Sequence, residues 1–266
     1  VVCPTFNCES YIERTLDTLL SQIVIPDEVI FSDDGSADNT VNIIKTYRSR
    51  YLKAGIKLKI LINPHKGPGA ARNLGILSTN LKWIAFIDAD DTWIPEKIKR
   101  VKEVIKEEQG LNCILHWEEY IRANGNITTL EHGSNYDHNL SNANQLYRKN
   151  FLSTSALVCH RSILIANGGF DEALPNGQDY DLWLKLSSVM KIKIIPEILG
   201  SYIEEATSIT ARPYHKRIRA EILILWRHRE KGSILLFSVK LIRILLSKQW
   251  FYTFRNLFYQ KKQHSS

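Results

Sequence analysis

Short apolar runs alternate with segments of helical periodicity through the first half of the chain. The runs fall at about 1–3, 28–32, 57–62 and 83–87, each short enough for a strand. Between them, 9–21 carries Ile12, Leu16, Leu19 and Leu20 at helical spacing, 37–51 carries Val41, Ile44 and Tyr47, and 69–78 forms a third helical segment. This alternation predicts an α/β fold with a Rossmann-like, mostly parallel central sheet flanked by helices. Ligands on such sheets bind beyond the carboxyl ends of the strands. Four punctuated segments, 4–9, 33–38, 64–73 and 88–92, fall there and are expected to meet in one crevice.

The pattern then changes. Residues 117–144 are polar and rich in Asn and Gly, with Asn124-Gly125 reading as a turn, so an irregular insertion or a hairpin over the crevice is expected. A second α/β portion follows, with an extended run at 155–159, a helix over about 178–189 and a strand at 193–195.

The 266 residues suffice for one large α/β domain, or a domain with an appendage, and the 44% hydrophobic and 24% charged content is ordinary for a soluble globular protein. Cys3, Cys8, Cys113 and Cys159 form no C-x-x-C pair and read as buried reduced thiols of a cytoplasmic protein. No signal peptide opens the sequence, and Val1-Val2-Cys3-Pro4 starts inside a strand, so further residues are expected before it. The net charge of +7 resides entirely in the last 36 residues. That argues against a nucleic-acid partner and for one local anionic surface.

Candidate chemistry concentrates at the strand ends. Asp88-Ala89-Asp90-Asp91 follows the apolar run 83–87 and offers hard oxygen ligands to a divalent cation shared with a diphosphate. The competing reading makes it an acidic loop, with Asp91 or Thr92 capping a helix near Pro95. The glycine-rich turn 67–73, with Asp88 about twenty residues on, invites a dinucleotide-binding reading. Arg72 opposes it, because a long side chain stands where close helix–strand packing needs glycine. Backbone N–H groups at a helix start, together with Arg72, suit a phosphate or a sugar edge better.

Taken in order, Pro4-Thr5-Phe6-Asn7, Asp33-Asp34-Gly35-Ser36 with Asp38-Asn39-Thr40, Gly67-Pro68-Gly69-Ala70-Ala71-Arg72-Asn73, Asp88-Ala89-Asp90-Asp91, Gly168-Gly169-Phe170-Asp171 and Gln178-Asp179-Tyr180-Asp181-Leu182-Trp183 resemble a family 2 glycosyltransferase of the GT-A fold. The resemblance spans about 1–210. It implies a catalytic domain there, with a nucleotide-binding half at about 1–116 and an acceptor-binding half at about 117–210. The region 211–266 would form a basic, amphipathic, helical C-terminal tail.

The resemblance also implies roles. Pro4 and Phe6 would flank a uracil ring, Asn7 and Glu9 would reach the ribose or ring edge, and Asp34 would accept the uracil N3–H. Glu9 has a second reading in a first helical turn, and capping of the next helix falls to Asp38 or Ser36. Thr5, Gly67, Arg72 and Ala89 complete the nucleotide-sugar set. Asp88 would hold ribose and sugar hydroxyls, and Asp90 a Mg²⁺ or Mn²⁺ ion, with Asp91 an N-cap or a second metal contact.

On the acceptor side Asp179 would be the general base, flanked by Gln178 where the family has glutamate, a change expected to lower the Asp179 pKa. Gln178 and Trp183 would line the acceptor pocket, Trp183 alternatively packing in the core, and Asp181 is read as structural. Residues 202–210 show Glu204-Glu205 in place of the family's Arg- or His-containing segment. His116 and His160 read as structural, and His65 as a loop residue beside a phosphate site.

The implied activity is inverting, metal-dependent transfer of a hexose, glucose favoured, from a UDP-sugar to a hydroxyl of a glycan acceptor. The nearest resemblance is to bacterial enzymes that extend lipid-linked oligosaccharides at the cytoplasmic membrane face, as in the branching step of N-glycan assembly. A nucleotide-sugar pyrophosphorylase would need a glycine-rich, basic triphosphate loop that 4–9 lacks. A non-catalytic UDP-sugar-binding or scaffold protein is the alternative.

The tail has its own pattern. Bulky apolar residues fill most of 234–258, interrupted by Lys240, Arg243, Lys248 and Arg255, with Trp250, Phe251, Tyr252, Phe254, Phe258 and Tyr259 as interfacial aromatics. No stretch approaches the roughly 18 uncharged apolar residues of a spanning helix. The expectation is an interfacial helix whose basic residues face an anionic membrane surface. The other reading is a terminal helix hairpin packed on the catalytic domain.

Overall fold

The computed structural model describes residues 1–205 and 214–246, with backbone alone for 214–217. β1 (Val2–Thr5), β2 (Glu28–Asp33) and β3 (Lys57–Ile62) form a parallel sheet in the order β1-β2-β3. α1 (Ile12–Leu20), α2 (Thr40–Thr46), α3 (Arg48–Lys53) and α4 (Pro68–Leu77) make the connections. The predicted helix over 37–51 is thus two helices that break at Tyr47. α1 buries Ile12, Leu16 and Leu19 along one stripe, as its spacing predicts. α4 reaches the sheet because Gly75 has no side chain: a Cβ there would lie 2.5 Å from Val2 Cγ1.

β4 (Trp83–Ala85), β5 (Thr92–Trp93), β6 (Cys113–Ile121), β7 (Ile127–Leu130), β8 (Leu157–His160) and β9 (Ile192–Ile203) build the second sheet, ordered β4-β8-β6-β9-β5 with β7 paired to β6. A parallel bridge between Val2 and Phe86 links the two sheets. The parallel character predicted for the first half holds there, while the second half is mixed. β8 runs antiparallel to both β4 and β6, and β6 and β9 are parallel. An interior strand buried on both faces looks the same in either direction, so its apolar run carries no sign of this. Side chains alternate between two cores: Val2 and Ile30 enter one, Cys3, Val29 and Phe31 the other. All four cysteines are buried and unbridged.

Three expectations are corrected. β9 runs for 12 residues instead of three, because the register skips from Ile195 to Ile198 and so bulges out Pro196 and Glu197. α8 (Gln178–Leu186) stops three residues early. Neither Asp91 nor Thr92 caps a helix: Thr92 enters β5, and α5 begins only at Lys97 and runs to Glu107. The 117–144 insertion is largely the β6–β7 hairpin, turning at Asn124-Gly125, followed by the start of α6 (Asn142–Arg148). α7 (Arg161–Ala166) is capped by the His160 side chain, and His116 is fully buried, so both are structural.

The described tail comprises α9 (Tyr214–Arg227) and a helical run at 234–246. Ile218, Ile224, Leu225, Phe237 and Ile244 are buried in the same core as Tyr147, Tyr180 and Trp183. The opposite side exposes Leu223, Trp226, Ile234, Leu235, Ile242, Leu245 and Leu246. Lys240, expected to face lipid, instead turns inward to pair with Glu221 at 3.0 Å, because the buried Phe237 and Ile244 fix that helix face against the domain. Among the described residues no helix is long and apolar enough to cross a membrane. Lys248, Arg255, the tail aromatics from Trp250 onward and the expected domain boundary at 210 lie outside the described residues.

Candidate active site

The loops beyond β1, β2, β3 and β4 converge, as predicted, on one cavity of about 1260 Å³. At one end stands the loop after β1. Pro4, Thr5, Phe6 and Asn7 all line the cavity. Asn7 adopts a left-handed φ of 46°, which asparagine tolerates better than most residues. Its N–H donates to Ser36 Oγ at 2.9 Å, and its Oδ1 accepts the Ala37 N–H. Thr5 Oγ1 donates to Asp33. These bonds clamp the first two loops together and leave Phe6 44% exposed, tilted against His65 with ring centroids 4.6 Å apart.

Asp34 is buried beneath that pair. Its carboxylate accepts the Lys66 and Gly67 N–H groups, each at 2.8 Å, and Asn63 Nδ2 at 3.0 Å. It therefore shapes the glycine-rich turn from below while still bordering the cavity. Gly67 holds a φ of 94° at the start of α4, a conformation that favours glycine. The close helix–strand approach that a dinucleotide site needs at its third glycine occurs at Gly75 instead. Arg72 points to the cavity, buried, with its guanidinium 2.5 Å from Asp88 Oδ1 and 5.4 Å from the centre of the Phe170 ring.

The carboxylate triplet divides its labour. Thr15 of α1 donates to the Ala89 and Asp91 carbonyls, and Arg14 donates to the Asp90 carbonyl, so α1 fixes this loop from behind. Ser155 accepts the Asp88 N–H at 3.0 Å and donates to Asp91 Oδ2 at 2.5 Å. Asp91 also accepts the Ile203 N–H and is fully buried, which makes it a lynchpin between β9 and the loop rather than a cap. Burial, reinforced by Asp88, pushes the Asp90 carboxyl up to about 6. Two carboxylates that repel one another at a cavity wall suit a hard divalent cation, whose charge relieves that repulsion. Among the described residues no group of three or more His, Cys, Asp or Glu side chains is arranged to hold a metal. Any ion here would take its remaining ligands from a diphosphate or water.

Across the cavity, Gly177 adopts φ 71° and turns the chain into α8, whose second residue is Asp179. Burial raises the Asp179 pKa, with Arg72 opposing. The lowering expected from Gln178 is outweighed, because desolvation disfavours the charged form. Gln178 borders the cavity, but its Nε2 donates to the Leu174 carbonyl at 2.5 Å and its amide packs on Gly69. It braces the two loops against each other.

Two predicted site residues are not brought to the cavity. Glu9 lies outside it, before α1 begins, where its carboxylate accepts the Asn39 N–H at 2.8 Å. Trp183 is fully buried, with its ring 6.2 Å from Phe170, because α8 turns it away from Asp179 and into the core. Sequence reasoning missed Ser155, and it missed Glu221, Ile224 and Lys240, which the C-terminal helices bring to the wall. A serine in the turn before β8 leaves no signal. The tail residues looked like part of an amphipathic helix, whose partner periodicity does not name.

The chain also resembles known proteins. The family model described as Glycosyl transferase family 2 matches residues 1–167. Chondroitin synthase of Escherichia coli is 28% identical over 204 residues, covering 74% of this chain and 28% of that protein. An uncharacterized glycosyltransferase of Methanocaldococcus jannaschii is 25% identical over 205 residues, covering 76% of this chain and 69% of the relative. The chain spans 19–28% of the length of the curated synthases that it matches. Among solved structures, Staphylococcus aureus TarS 1–349 in complex with UDP-GlcNAc superposes with a TM-score of 0.71 at 21% identity, covering 92% of this chain and 70% of that one. The mannosyltransferase PcManGT of Pyrobaculum calidifontis, in complex with GDP-Man and Mn²⁺, gives 0.65 at 15% identity, covering 87% and 64%. These structural likenesses carry the fold.

Proposed function

Because the chain belongs to glycosyl transferase family 2, we propose that it transfers a hexose from a UDP-sugar, with inversion, to a hydroxyl of a glycan acceptor. One observation carries the reading: the Arg72–Asp88 pair, Asp90 and Asp179 stand on the walls of a single cavity with Phe6 at its rim. Phe6 and Pro4 supply a flat flank for uracil, and Asp34 orders the turn against which the ring edge lies. Arg72 and the N–H groups at the start of α4 face the diphosphate. Asp88 addresses sugar hydroxyls.

Asp90 would hold Mg²⁺ or Mn²⁺, which when bound neutralises charge growing on departing UDP. Asp179 takes the proton from the acceptor hydroxyl as that oxygen attacks C1 from the face opposite UDP. Its raised pKa makes it a stronger base than an exposed aspartate. A single in-line displacement inverts the anomeric centre and needs no protein nucleophile.

The finer proposal is glucose as the sugar and a lipid-linked oligosaccharide as acceptor, met at a cytoplasmic membrane face. For the membrane face, the support is the apolar outer side of the tail, where Ile234 and Leu235 are 70% and 68% exposed. The test is a screen of UDP-sugars for metal-dependent UDP release, with and without lipid-linked acceptors. Acceptor-stimulated release from one UDP-hexose is the expected result. UDP binding with no release under any acceptor would instead identify a binding or scaffold protein.

A further inference from the structure

The family model ends at residue 167, yet the cavity wall does not. Glu221 and Ile224 of α9, and Lys240 of the following helix, border the same cavity as Asp179. Their placement beside the catalytic turn is tight. A Cβ on Gly177 would lie 2.9 Å from Ile224 Cδ1, so α9 packs directly on the turn that launches Asp179. Lys240 Nζ sits 5.3 Å from the centre of the Tyr180 ring, one residue beyond Asp179, and 3.0 Å from Glu221 Oε1. Glu221 keeps 37% of its side chain exposed, whereas Lys240 keeps 15%.

We infer that Glu221 and Lys240 form the outer half of the acceptor subsite and select a neutral, hydroxyl-bearing glycan over one carrying carboxylate or phosphate. The inference rests on the glycosyltransfer reading above and names the substrate class for that site. Charge supports it. Among the described residues that border the cavity, Lys240 already faces Glu221 and Arg72 already faces Asp88, while Asp179 and Glu172 add further carboxylates. An anionic acceptor would meet an excess of carboxylates, whose repulsion an ammonium and a guanidinium already paired to Glu221 and Asp88 do not offset. A neutral sugar meets what it needs. A carboxylate accepts from two hydroxyls at once, and an ammonium carries three donors, of which Glu221 takes one.

The experiment uses the full chain and two acceptor oligosaccharides of equal length, one neutral and one carrying a uronic acid, with the active UDP-sugar as donor. Wild type should favour the neutral acceptor by about tenfold or more in kcat/KM. Glu221→Gln should raise the neutral acceptor's KM about tenfold more than the donor's KM, and should narrow the penalty on the uronate. Lys240→Met should raise the neutral acceptor's KM as well, a second variant that breaks the pair from the other side. Equal use of the two acceptors by wild type, a preference for the uronate, or an unchanged acceptor KM in both variants overturns the inference. If no UDP-sugar turns over, the donor reading has failed by itself. Titration calorimetry of the two oligosaccharides against the protein then decides the acceptor question: neutral-selective binding that weakens in Glu221→Gln supports it, and equal or uronate-selective binding overturns it.

Discussion

Arg72 and Asp88 meet at 2.5 Å in the wall of the cavity, the guanidinium almost wholly buried and the carboxylate one third exposed. Burial alone would lower the Arg72 pKa, but Asp88 raises it, so the cation is fixed at the site. A buried guanidinium with one carboxylate partner retains donors for a second anion, and a diphosphate fits. Arg72→Met should therefore weaken UDP binding by about tenfold or more, and Arg72→Lys should recover only part of it, since an ammonium lacks the planar fork. Calorimetric titration of UDP with Mn²⁺ present is the measurement. Wild-type affinity in Arg72→Met would remove Arg72 from the donor site.

Asp179→Asn should lower kcat by roughly a hundredfold or more, the usual scale for a general base, with UDP affinity retained. The pH profile gives an independent reading. A base must be deprotonated to act, and burial raises this one. Activity should therefore fall on the acid side at a pH above the ordinary aspartate range of about 4. An acid limb at or below that value, or loss of UDP binding in Asp179→Asn, would contradict the assignment.

Asp90→Asn should abolish most turnover and weaken Mn²⁺-dependent UDP binding while circular dichroism stays unchanged. The side chain is replaced by one of equal size that cannot carry charge. Full activity in this variant, or in excess EDTA, would rule out the metal mechanism.

What the sequence revealed and what it concealed separate along physical lines. Strand ends were legible because apolar runs stop at Asp33 and Asp88, and the loops that follow do meet. The cavity placement of Glu9, and the pocket reading of Trp183 as against its core reading, fail for a shared reason: one residue along a loop or 100° around a helix decides whether a side chain enters a cavity, and neither is encoded in residue type. Asp91 was misread because capping and buried bridging use the same carboxylate. Its partner Ser155 lies 64 residues away. The tail's inner face was hidden more deeply, since amphipathic periodicity shows that a helix buries one side without showing against what.

Asp181 provides a stability test unconnected with chemistry. It is fully buried on α8, and its carboxylate is paired with His228 at 2.8 Å, Lys185 at 2.9 Å and Arg227 at 3.2 Å. Burial pushes its pKa up, yet hydrogen bonds from His228 and Lys185 bring it down to about 2. A depressed carboxylate stabilises the fold above its unfolded pKa of about 4, and that contribution is lost as pH falls through 2. The difference corresponds to about 2 kcal/mol. Urea unfolding of wild type should weaken by that order between pH 5 and pH 2 relative to Asp181→Asn, which is less stable at pH 5 and less sensitive to acid. Parallel acid dependence in the two proteins would dismiss the ion cluster as a stabilising element.

The tail's outer face decides the membrane proposal, and the structure dictates which variant can test it. Deleting 232–266 would strip Phe237 and Ile244 from the core and Lys240 from the cavity wall, confusing membrane binding with folding and acceptor binding. Leu235 and Ile242 are 68% and 53% exposed, so Leu235→Ser with Ile242→Ser leaves the core intact. Burying two such side chains in the acyl boundary contributes on the order of 3 kcal/mol, or about a hundredfold in partitioning. Wild type should sediment with anionic liposomes, and the double variant should do so about a hundredfold less well. Transfer to a membrane-embedded acceptor should slow in step with that loss. Transfer to a short soluble acceptor should persist, because both substituted positions lie off the cavity. If wild type never sediments, or the double variant sediments equally well, this apolar face serves some purpose other than membrane docking.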